Sequence, residues 1–384
     1  MKADSVYRER FLLTMEHKPV DRCPIDLGGT PQSTVESLDA VRNLAAYLGF
    51  EGPMPGDYDK FDRRVLEHWD VDFRRVGCLV PFLTDRRRHI SDTEYIDEYG
   101  IRRRHSGMYW EIVEVPLPNA TIDEIAAYEF PRLDDMVPGI LDECAERAKR
   151  LREETGYVIV GEHPVFGVLE LACWLCGYDH VMMMMASDPE FVHLLFGKIL
   201  EFQKRVIRAY YERIGRYIHI TTSGDDFGTQ KGLFISPRMF REYVKPYMRE
   251  RIAYTARFTE AVYLHHSCGA IFEIIPDLIE IGVRILNPIQ PVAGMQPDRL
   301  KSEFGDRIVF HGGLDTQEVL PSGDIVRIEQ AVDSLLEAMR PWSNGGYIFA
   351  PAHNLQADVS PACVAAMYDR VLEACVEKGA AYAS

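Results

Sequence analysis

Two side chains that can bind a metal lie two positions apart in the stretch YLHHSCGAIF. His266 and Cys268 follow an apolar run that is typical of a β-strand, and side chains two apart along a strand project to the same side. An imidazole and a thiolate together suit zinc, which at catalytic sites usually takes three protein ligands and leaves one position open. His353, which follows another apolar run in the stretch PAHN, is the third candidate ligand. The alternative interpretation is a buried histidine beside a buried thiol, because an HxC pair is frequent by chance.

Other polar residues lie in or directly after short β-branched runs. Carboxylates at such positions can orient a substrate or transfer its proton, and amides and imidazoles can bind it. For Asp225 and Asp226 the alternative interpretation is loop and N-cap chemistry ahead of the helix that follows Ser236. The candidates for catalysis are Asp226, Glu162 and His353, and the candidates for substrate binding are Asp26, Asp72, Asn287, Gln290 and His311.

The elements that would position these residues alternate along the chain. Eight short β-branched runs are each followed by a loop and a longer segment with helical periodicity, which is typical of βα units around a parallel sheet. The expected architecture is a single (β/α)8 TIM barrel of the α/β class over residues 1–384, with its active site at the carboxyl ends of the strands. The predicted strands are Cys23–Leu27, Val71–Val76, Tyr157–Val160, Tyr217–Thr221, Ala261–Leu264, Arg284–Leu286, Ile308–Phe310 and Tyr347–Phe349.

The stretch from residue 85 to residue 118 interrupts this alternation. Its short alternating runs and its Tyr99-Gly100 and Ser106-Gly107 turns predict an inserted β-hairpin or meander near one mouth of the barrel. Two arginine triplets, at 86–88 and 102–104, are interpreted as solvated faces of this insertion. Docking of an acidic partner is the alternative.

The composition excludes several classes of function. The 384 residues include 43 Lys and Arg against 59 Asp and Glu, a formal net charge of -16, which argues against a general nucleic-acid binder. The sequence shows no signal-peptide pattern and no apolar run of the roughly 18 residues that span a membrane, so the cytoplasm is the expected location. Eight cysteines are too few for a disulfide scaffold, and most are expected to be buried thiols, including Cys173 and Cys176 of a CxxC stretch.

Five stretches of the chain carry a family resemblance. They are RERFLLTMEHKPVDRCPID, SPRMFREYVKPY, HHSCGAIFEIIPDLIEIG, FGDRIVFHGGLDTQEVLP and GGYIFAPAHNLQADVSP. Together they resemble the uroporphyrinogen decarboxylase superfamily, and the similarity spans nearly the whole chain. The resemblance implies a (β/α)8 barrel with one of two chemistries, which are cofactor-free decarboxylation of uroporphyrinogen and zinc-dependent methyl transfer to or from a corrinoid protein.

Two regions favour the methyl-transfer branch. Decarboxylases of the superfamily carry an arginine-rich segment after the first strand, whereas DLGGTPQSTVES has no arginine between Leu27 and Arg42. A substrate with many carboxylates needs such charge-assisted partners. The methyltransferase branch carries an HxC after the fifth strand, which His266 and Cys268 match, and a cysteine after the eighth strand, where this chain has His353.

The resemblance therefore implies zinc bound by His266, Cys268 and His353. It implies a methyltransferase that moves a methyl group between a small methylated compound, for example a methyl ether in an O-demethylation, and a separate corrinoid protein. The branch's carboxylate ligand after the sixth strand has no acidic match in LNPIQPVAG, where Asn287 and Gln290 lie. The chain has no DxHxxG cobalamin signature, so cobalamin is expected on the separate protein. Neither a nucleic acid nor a membrane is an expected partner, and a monomer or a homodimer is expected.

Two other functions stay open. A metal-free decarboxylase acting on a tetrapyrrole or another carboxylate would use His353 and an aspartate, such as Asp26 or Asp72, to stabilise a protonated pyrrole-like intermediate. A non-catalytic protein would hold a tetrapyrrole or a small ligand at the barrel mouth without turnover. The density of polar residues at the predicted strand ends favours an enzyme, in which Asp226 and Glu162 orient the substrate or manage its proton.

Overall fold

Short apolar runs form a curled parallel sheet at the centre of the structure, a computed structural model that describes residues 4–35, 37–53, 61–77, 82–107 and 109–382. In chain order the strands are β1 (Phe73–Val76), β2 (Arg88–Ser91), β3 (Glu94–Ile96), β4 (Arg102–His105), β5 (Trp110–Glu114), β6 (Val158–Gly161), β7 (Ile220–Gly224), β8 (Val262–His266), β9 (Ile285–Asn287), β10 (Val309–His311) and β11 (Tyr347–Ile348). The central sheet has seven strands in the order β1, β6, β7, β8, β9, β10 and β11, and all neighbours are parallel.

Helices connect the successive parallel strands, as parallel pairing requires. They are α1 (Val6–Met15), α2 (Leu38–Tyr47), α3 (Arg63–His68), α4 (Ile122–Ala127), α5 (Ile140–Glu154), α6 (Val168–Cys176), α7 (Tyr178–Ser187), α8 (Pro189–Ile214), α9 (Pro237–Met239), α10 (Lys245–Thr255), α11 (Ile275–Glu280), α12 (Pro297–Phe304), α13 (Ile325–Met339), α14 (Pro341–Asn344) and α15 (Pro361–Tyr382). A π-helical turn joins α9 to α10 at Phe240–Val244, and 3-10 turns lie at Leu133–Asp135, Phe272–Ile274, Pro291–Ala293 and Leu320–Ser322.

The segment around Ile25 joins the two edges of the curled sheet. Ile25 forms a single parallel bridge with Phe349, directly after β11, and Asp26 N donates to Phe349 O at 2.9 Å. On its other side, Asp72 N donates to Ile25 O at 3.1 Å, directly before β1. The α/β barrel prediction is therefore confirmed with a correction. The predicted first strand, Cys23–Leu27, forms only a single β-bridge, and the parallel sheet has seven strands. Irregular backbone in this segment takes the place of the eighth strand.

Apolar side chains fill the barrel and close one of its ends. Ser5 Oγ donates to Gly156 O at 2.5 Å and Gly346 N donates to Thr14 O at 3.0 Å, so α1 covers the amino ends of β6 and β11. Buried large apolar side chains each contribute about 1.5–3 kcal/mol. The cluster inside the barrel consists of Phe11, Met15, Phe73, Val158, Val160, Ile220, Leu264, Ile285, Val309 and Ile348. The carboxyl ends of the strands are left as the open mouth.

The insertion after β1 is a meander, in agreement with the sequence prediction. Its four strands pair in the order β2, β3, β4 and β5, and each neighbouring pair is antiparallel. The Arg103 guanidinium lies 4.7 Å from the centroid of the Trp174 ring, and Leu117 N donates to Leu175 O at 2.9 Å. The meander therefore packs against α6 beside the barrel mouth.

Arginines of the second triplet are paired within the meander. Arg102 forms ion pairs with Glu94 and Glu114, and Arg104 forms one with Glu94 at 3.4 Å. Arg103 pairs with Asp97 at 3.0 Å. These contacts satisfy the positive charge of residues 102–104 internally, which favours the interpretation of this triplet as part of the meander over docking of an acidic partner.

The cysteines are mostly buried thiols, as predicted. Cys268 is partly exposed, and the other cysteines in the described part of the chain are buried. Cys173 and Cys176 pack in the core on α6. Cys78 lies outside the described residues. No helix among the described residues is long and apolar enough to cross a membrane.

Asp72 lies at the closed end of the barrel, away from the mouth where the sequence analysis expected it to bind substrate. Its Oδ1 accepts from Arg10 at 2.5 Å, and its Oδ2 accepts from Arg22 at 2.7 Å and from Ile25 N at 2.8 Å. The residue directly precedes β1, so it belongs to the amino end of that strand. Both carboxylate oxygens are used by α1 and by the segment that joins the sheet edges.

We expect Asp72→Ala to lower the free energy of unfolding by about 1–3 kcal/mol, because Arg10 and Arg22 lose their buried partner and keep only the exposed carboxylates of Asp21 and Asp70. The matched control is Asp39→Ala, which removes the exposed ion pair with Arg42 and should cause no measurable change. Urea denaturation followed by circular dichroism measures both. Equal stability of the two variants would contradict a structural role for Asp72.

Candidate functional site

His266, Cys268 and His353 meet at the open mouth of the barrel. Their potential donor atoms all lie within 4.8 Å of one another, and Cys268 Sγ is 3.3 Å from His266 Nε2. Zinc bonds of about 2.0–2.3 Å in a tetrahedral arrangement separate the donor atoms by about 3.3–3.8 Å. The nitrogen, nitrogen and sulfur donor set and its spacing therefore fit a zinc ion. The sequence prediction that these three residues come together is consistent with this geometry.

The alternation of β8 explains why His266 faces the mouth. Leu264 lies in the barrel interior, and His266, two residues later, continues on the same side. His265 points outward, where its Nδ1 is 2.9 Å from Ser223 Oγ and its ring stacks on Phe227. The predicted division of the two adjacent histidines between opposite sides of the strand is thus present.

Cys268 is held by a tight turn against the loop that follows β7. Its backbone N donates to Asp226 Oδ1 at 2.8 Å. Gly269 has φ +85°, and a Cβ there would lie 2.4 Å from the backbone carbon of Gly228. Only glycine fits both the left-handed backbone and this close approach. Gln290 completes the turn by accepting from Gly269 N at 2.6 Å, and its Nε2 lies 3.9 Å from Cys268 Sγ.

A chain of buried hydrogen bonds fixes the orientation of His266. His266 Nδ1 and Asn287 Oδ1 are 2.6 Å apart, and Asn287 Nδ2 and His311 Nδ1 are 2.7 Å apart. His311 Nε2 is 2.8 Å from Asp26 Oδ2. Because a carboxylate and an amide oxygen only accept and an amide NH2 only donates, each proton in the chain is assigned. His266 must donate from Nδ1, which leaves a lone pair on Nε2 toward Cys268 and His353.

This chain of hydrogen bonds changes the interpretation of three predicted substrate-binding residues. Asp26 and Asn287 have no exposed surface and His311 is 1% exposed, so all three contact protein groups rather than the cavity. Asp26 is further held by Gly29 N at 2.8 Å and Ser33 Oγ at 2.7 Å. They orient His266, a candidate metal ligand, through hydrogen bonds on the side of its ring away from the cluster. Such hydrogen bonds typically tune histidine ligands of metals.

Burial and nearby charges keep Cys268 and His353 uncharged in the absence of a metal. Burial, and then the negative charges of Asp226 and Glu170, raise the pKa of the Cys268 thiol. Burial, and then the neighbouring His266, lower the pKa of His353 to about 4. Without a metal the cluster is therefore a neutral thiol and a neutral imidazole at pH 7. A bound cation would favour the thiolate, so metal uptake should release a proton.

The cluster lies between two cavities. The inner cavity, of about 290 Å³, contains Glu162, Asp226 and His266 in its lining. The outer cavity, of about 560 Å³, contains Cys268, Gln290 and Tyr109 of the loop between β4 and β5. His353 lines both. A metal at the cluster would be accessible from both sides.

Both predicted catalytic carboxylates lie at the inner cavity. Asp226 Oδ1 is 3.7 Å from His266 Nε2, and Glu162 Oε2 is 3.8 Å from Arg75 Nε. The neighbouring Asp225 instead caps α6, because it accepts from Leu169 N and Glu170 N at 3.1 and 2.8 Å. Asp225 therefore does cap a helix, but that helix is α6, whereas Ser236 itself caps the helix ahead of which the sequence suggested this role.

Among the inner-cavity residues that sequence reasoning missed are Glu170, Phe166 and Trp174. They lie on or before α6, which was interpreted only as an apolar core helix. The available signal was a single acidic residue in the otherwise apolar run VLELACWLC. Burial, and then repulsion by Asp226 and Asp225, raise the pKa of Glu170 well above its ordinary value.

We expect Asn287→Ala to weaken zinc binding about 10–100-fold, because His266 would lose the partner that fixes its Nε2 lone pair. Ser223→Ala is the matched control, since it removes the partner of the outward-facing His265 and should leave zinc affinity unchanged. Competition with a chromophoric chelator measures both affinities, and thermal unfolding checks that both variants are folded. Equal zinc affinity in wild type and Asn287→Ala would contradict this role.

Comparison with known proteins shows that a solved structure shares this fold over nearly the whole chain. A solved methyltransferase from Methanosarcina mazei superposes with a TM-score of 0.68 over 96% of this chain and 98% of that chain, at 17% sequence identity. At this identity the likeness establishes the fold.

A family model that covers more than half of the chain shows the family, and two curated relatives are similar to part of it. Two proteins named uroporphyrinogen decarboxylase, from Pelodictyon phaeoclathratiforme and Chlorobium limicola, are each 23% identical, over 188 and 199 residues. The matches cover 48% and 51% of this chain and 49% and 53% of the relatives, so the chain spans about half the length of the curated relatives it matches. The model described as "Uroporphyrinogen decarboxylase (URO-D)" matches residues 111–374. This chain therefore belongs to the uroporphyrinogen decarboxylase family.

Proposed function

We propose that this protein is a zinc-dependent methyltransferase that moves a methyl group between a small methylated compound and a separate corrinoid protein. The observation that carries the proposal is the cluster of His266, Cys268 and His353 at the barrel mouth, with its oriented Nε2 lone pair. The whole-length likeness to a solved methyltransferase supports it. A cytoplasmic, reducing environment would keep the Cys268 thiol available as a ligand.

The chain's own residues have separate roles in this proposal. His266, Cys268 and His353 hold the metal, and Asn287 orients the first of them. When bound, zinc supplies Lewis acidity that stabilises negative charge on the atom that loses or accepts the methyl group. Asp226 and Glu162, in the inner cavity, orient the small substrate and hold its proton.

The outer cavity is the side from which a corrinoid protein would approach. Tyr109 lines it together with Cys268 and His353, and Trp110 of β5 is 41% exposed beside it. The meander therefore flanks the mouth with exposed aromatic surface, of the kind enriched in protein interfaces. Cobalamin would be carried by that separate protein.

The inner cavity argues against uroporphyrinogen as the substrate. Three carboxyl side chains line it, those of Glu162, Glu170 and Asp226, and the described lining contains no lysine or arginine. A substrate with several carboxylates would find none of the arginine partners that it needs in this lining. Decarboxylation of uroporphyrinogen, the activity in the names of the curated relatives, is the competing function to be tested.

Metal content is the first test. Protein purified without chelator or affinity-tag metal should contain about one zinc ion per chain, as a three-ligand site predicts. Cys268→Ser and His353→Ala should each lose most of it, because each removes a ligand. His193→Ala, an exposed histidine on α8, is the control and should keep it. Plasma mass spectrometry gives the stoichiometry, and a metal-free wild type after zinc addition would remove the basis of the proposal.

Turnover separates the competing functions. Zinc-loaded protein should methylate a corrinoid partner from a methylated donor, and Cys268→Ser should lower this rate at least about 100-fold if the metal stabilises the transition state by several kcal/mol. The corrinoid absorbance spectrum follows the reaction. Coproporphyrinogen formed from uroporphyrinogen by zinc-free protein would establish the decarboxylase instead. Stoichiometric ligand binding without either reaction would favour a binding protein.

A further inference from the structure

We propose that the outer cavity binds the corrin macrocycle of the separate corrinoid protein directly, through hydrogen bonds to the amide groups at the edge of that macrocycle. This inference rests on the proposed function and adds the chemical class that the outer cavity recognises. At about 560 Å³ the cavity lies within the range of about 300–1,000 Å³ that is usual for small-molecule sites. The inner cavity, at about 290 Å³, is smaller, so the larger reactant suits the outer side.

Neutral amide side chains dominate the lining of the outer cavity. Five carboxamide side chains line it, those of Gln230, Gln290, Gln317, Asn354 and Gln356. The described lining contains no lysine, arginine or glutamate, and its single aspartate, Asp358, is exposed. This lining differs from that of the inner cavity, which includes three carboxyl side chains. The outer cavity therefore suits a neutral ligand that is rich in hydrogen-bonding groups.

Two exposed glutamines of this lining present an amide oxygen and an amide NH2 group side by side. Gln230 Nε2 donates to Gln317 Oε1 at 3.0 Å, which joins the loop after β7 to the loop after β10. This bond leaves the oxygen of one side chain and the NH2 group of the other for a ligand. Exchanging oxygen and nitrogen in both side chains would leave the same two kinds of group. An acceptor beside a donor matches the NH2 group and the carbonyl of a ligand amide.

Two further amides have an orientation that the backbone fixes. Asn354 Oδ1 accepts from Thr34 N at 3.1 Å, and Gln290 Oε1 accepts from Gly269 N at 2.6 Å. Because a backbone N–H only donates, both oxygens are assigned, and each NH2 group is left as a donor. Gln290 Nε2 lies 3.9 Å from Cys268 Sγ, a contact that uses at most one of its two N–H groups. The cavity therefore has oriented amide donors next to the metal ligands.

The substituents of the macrocycle decide which tetrapyrrole such a lining accepts. A corrin carries acetamide and propionamide arms around its edge, whereas uroporphyrinogen carries carboxylates there. Amide arms pair with amide side chains through neutral hydrogen bonds, while carboxylates need charge-assisted partners such as arginine. The described lining has amides and neither lysine nor arginine. It therefore favours a corrin over a tetrapyrrole with carboxylate arms.

The place of the amides relative to the metal ligands favours the macrocycle over the polypeptide of the corrinoid protein as their partner. Cys268 and His353 line the same cavity as the five amides. In the proposed function the methyl group passes between a substrate at these ligands and the cobalt of the corrin. The macrocycle itself must therefore occupy the space next to the ligands. The polypeptide would contact the exposed surface of the meander, where Tyr109 is 47% and Trp110 is 41% exposed.

Equilibrium dialysis of the full chain against free corrins, read by corrin absorbance, tests the inference. Dicyanocobinamide is the probe, because cyanide occupies both axial positions of its cobalt and prevents bonding to Cys268 or His353. It should bind, and dicyanocobyrinic acid heptamethyl ester, a neutral analogue with esters in place of the amides, should bind about tenfold or more weakly, since several net hydrogen bonds are lost. Equal affinity for the two, a preference for the free acid, or no saturable binding of dicyanocobinamide up to about 1 mM would overturn the proposal.

Variants locate the amide contacts. Gln230→Met and Gln317→Met keep the length of each side chain and remove its amide. Together they should weaken dicyanocobinamide about tenfold and change the affinity for the ester less than about twofold. Gln330→Met, the same change at an exposed position on α13, is the matched control and should change neither affinity. Thermal unfolding shows that the variants are folded, and unchanged dicyanocobinamide affinity in the folded double variant would overturn the site.

Zinc content and methyl transfer measured on the same samples separate this inference from the proposed function. Zinc binding and methyl transfer to a corrinoid protein, without binding of dicyanocobinamide, would overturn the amide site and keep the methyltransferase. Binding of dicyanocobinamide that depends on Gln230 and Gln317, in protein that takes up no zinc, would keep the corrin site and overturn the zinc-dependent transfer.

Discussion

The hydrogen-bond chain from Asp26 to His266 is the interaction on which the rest of the site depends. Asp26 lies in the segment that joins the first and last strands of the sheet, and His266 is the end of β8 on the opposite part of the curl. His311 and Asn287 connect them across β10 and β9. Closing the barrel and orienting the candidate ligand therefore depend on the same residue, because the Asp26 backbone N donates to Phe349 O and the Asp26 carboxylate is hydrogen-bonded to His311.

Buried acidic side chains have different partners at the two ends of the barrel. At the closed end, Asp72 has two arginines and a backbone donor, so its charge is fully compensated. At the open mouth, Glu170 and Asp226 face a cavity whose described lining contains no lysine or arginine. Uncompensated acids are costly for a folded chain, and they are typically retained where function requires them. This asymmetry distinguishes structural from functional carboxylates in a way that residue type alone does not.

The local sequence pattern predicted the features that depend on one strand or on one segment of the chain at a time. The alternation in YLHHSC placed His266 and Cys268 together, the repeated βα pattern predicted the barrel, and the interruption of that pattern predicted the meander. It did not predict the network, because Asp26 and His311 are 285 positions apart and meet only through the register of several strands. Asp72 was misplaced since β1 begins one residue after it, which puts it at the opposite end. Glu170 was missed because a buried acid in an apolar helix resembles core.

The position of the cluster between two cavities bears on the kind of reaction. A decarboxylase needs access for one substrate, whereas a group transfer between a small molecule and a carrier protein needs two reactants at one centre. His353 lines the small inner cavity and the larger outer one, and the meander adds Tyr109 to the outer wall. The inner side is acidic and compact, and the outer side is open and flanked by aromatic surface. A methyl transfer between a small molecule and a carrier protein requires two different routes to one set of metal ligands. The two cavities provide such routes, and this geometry favours the methyltransferase over the decarboxylase.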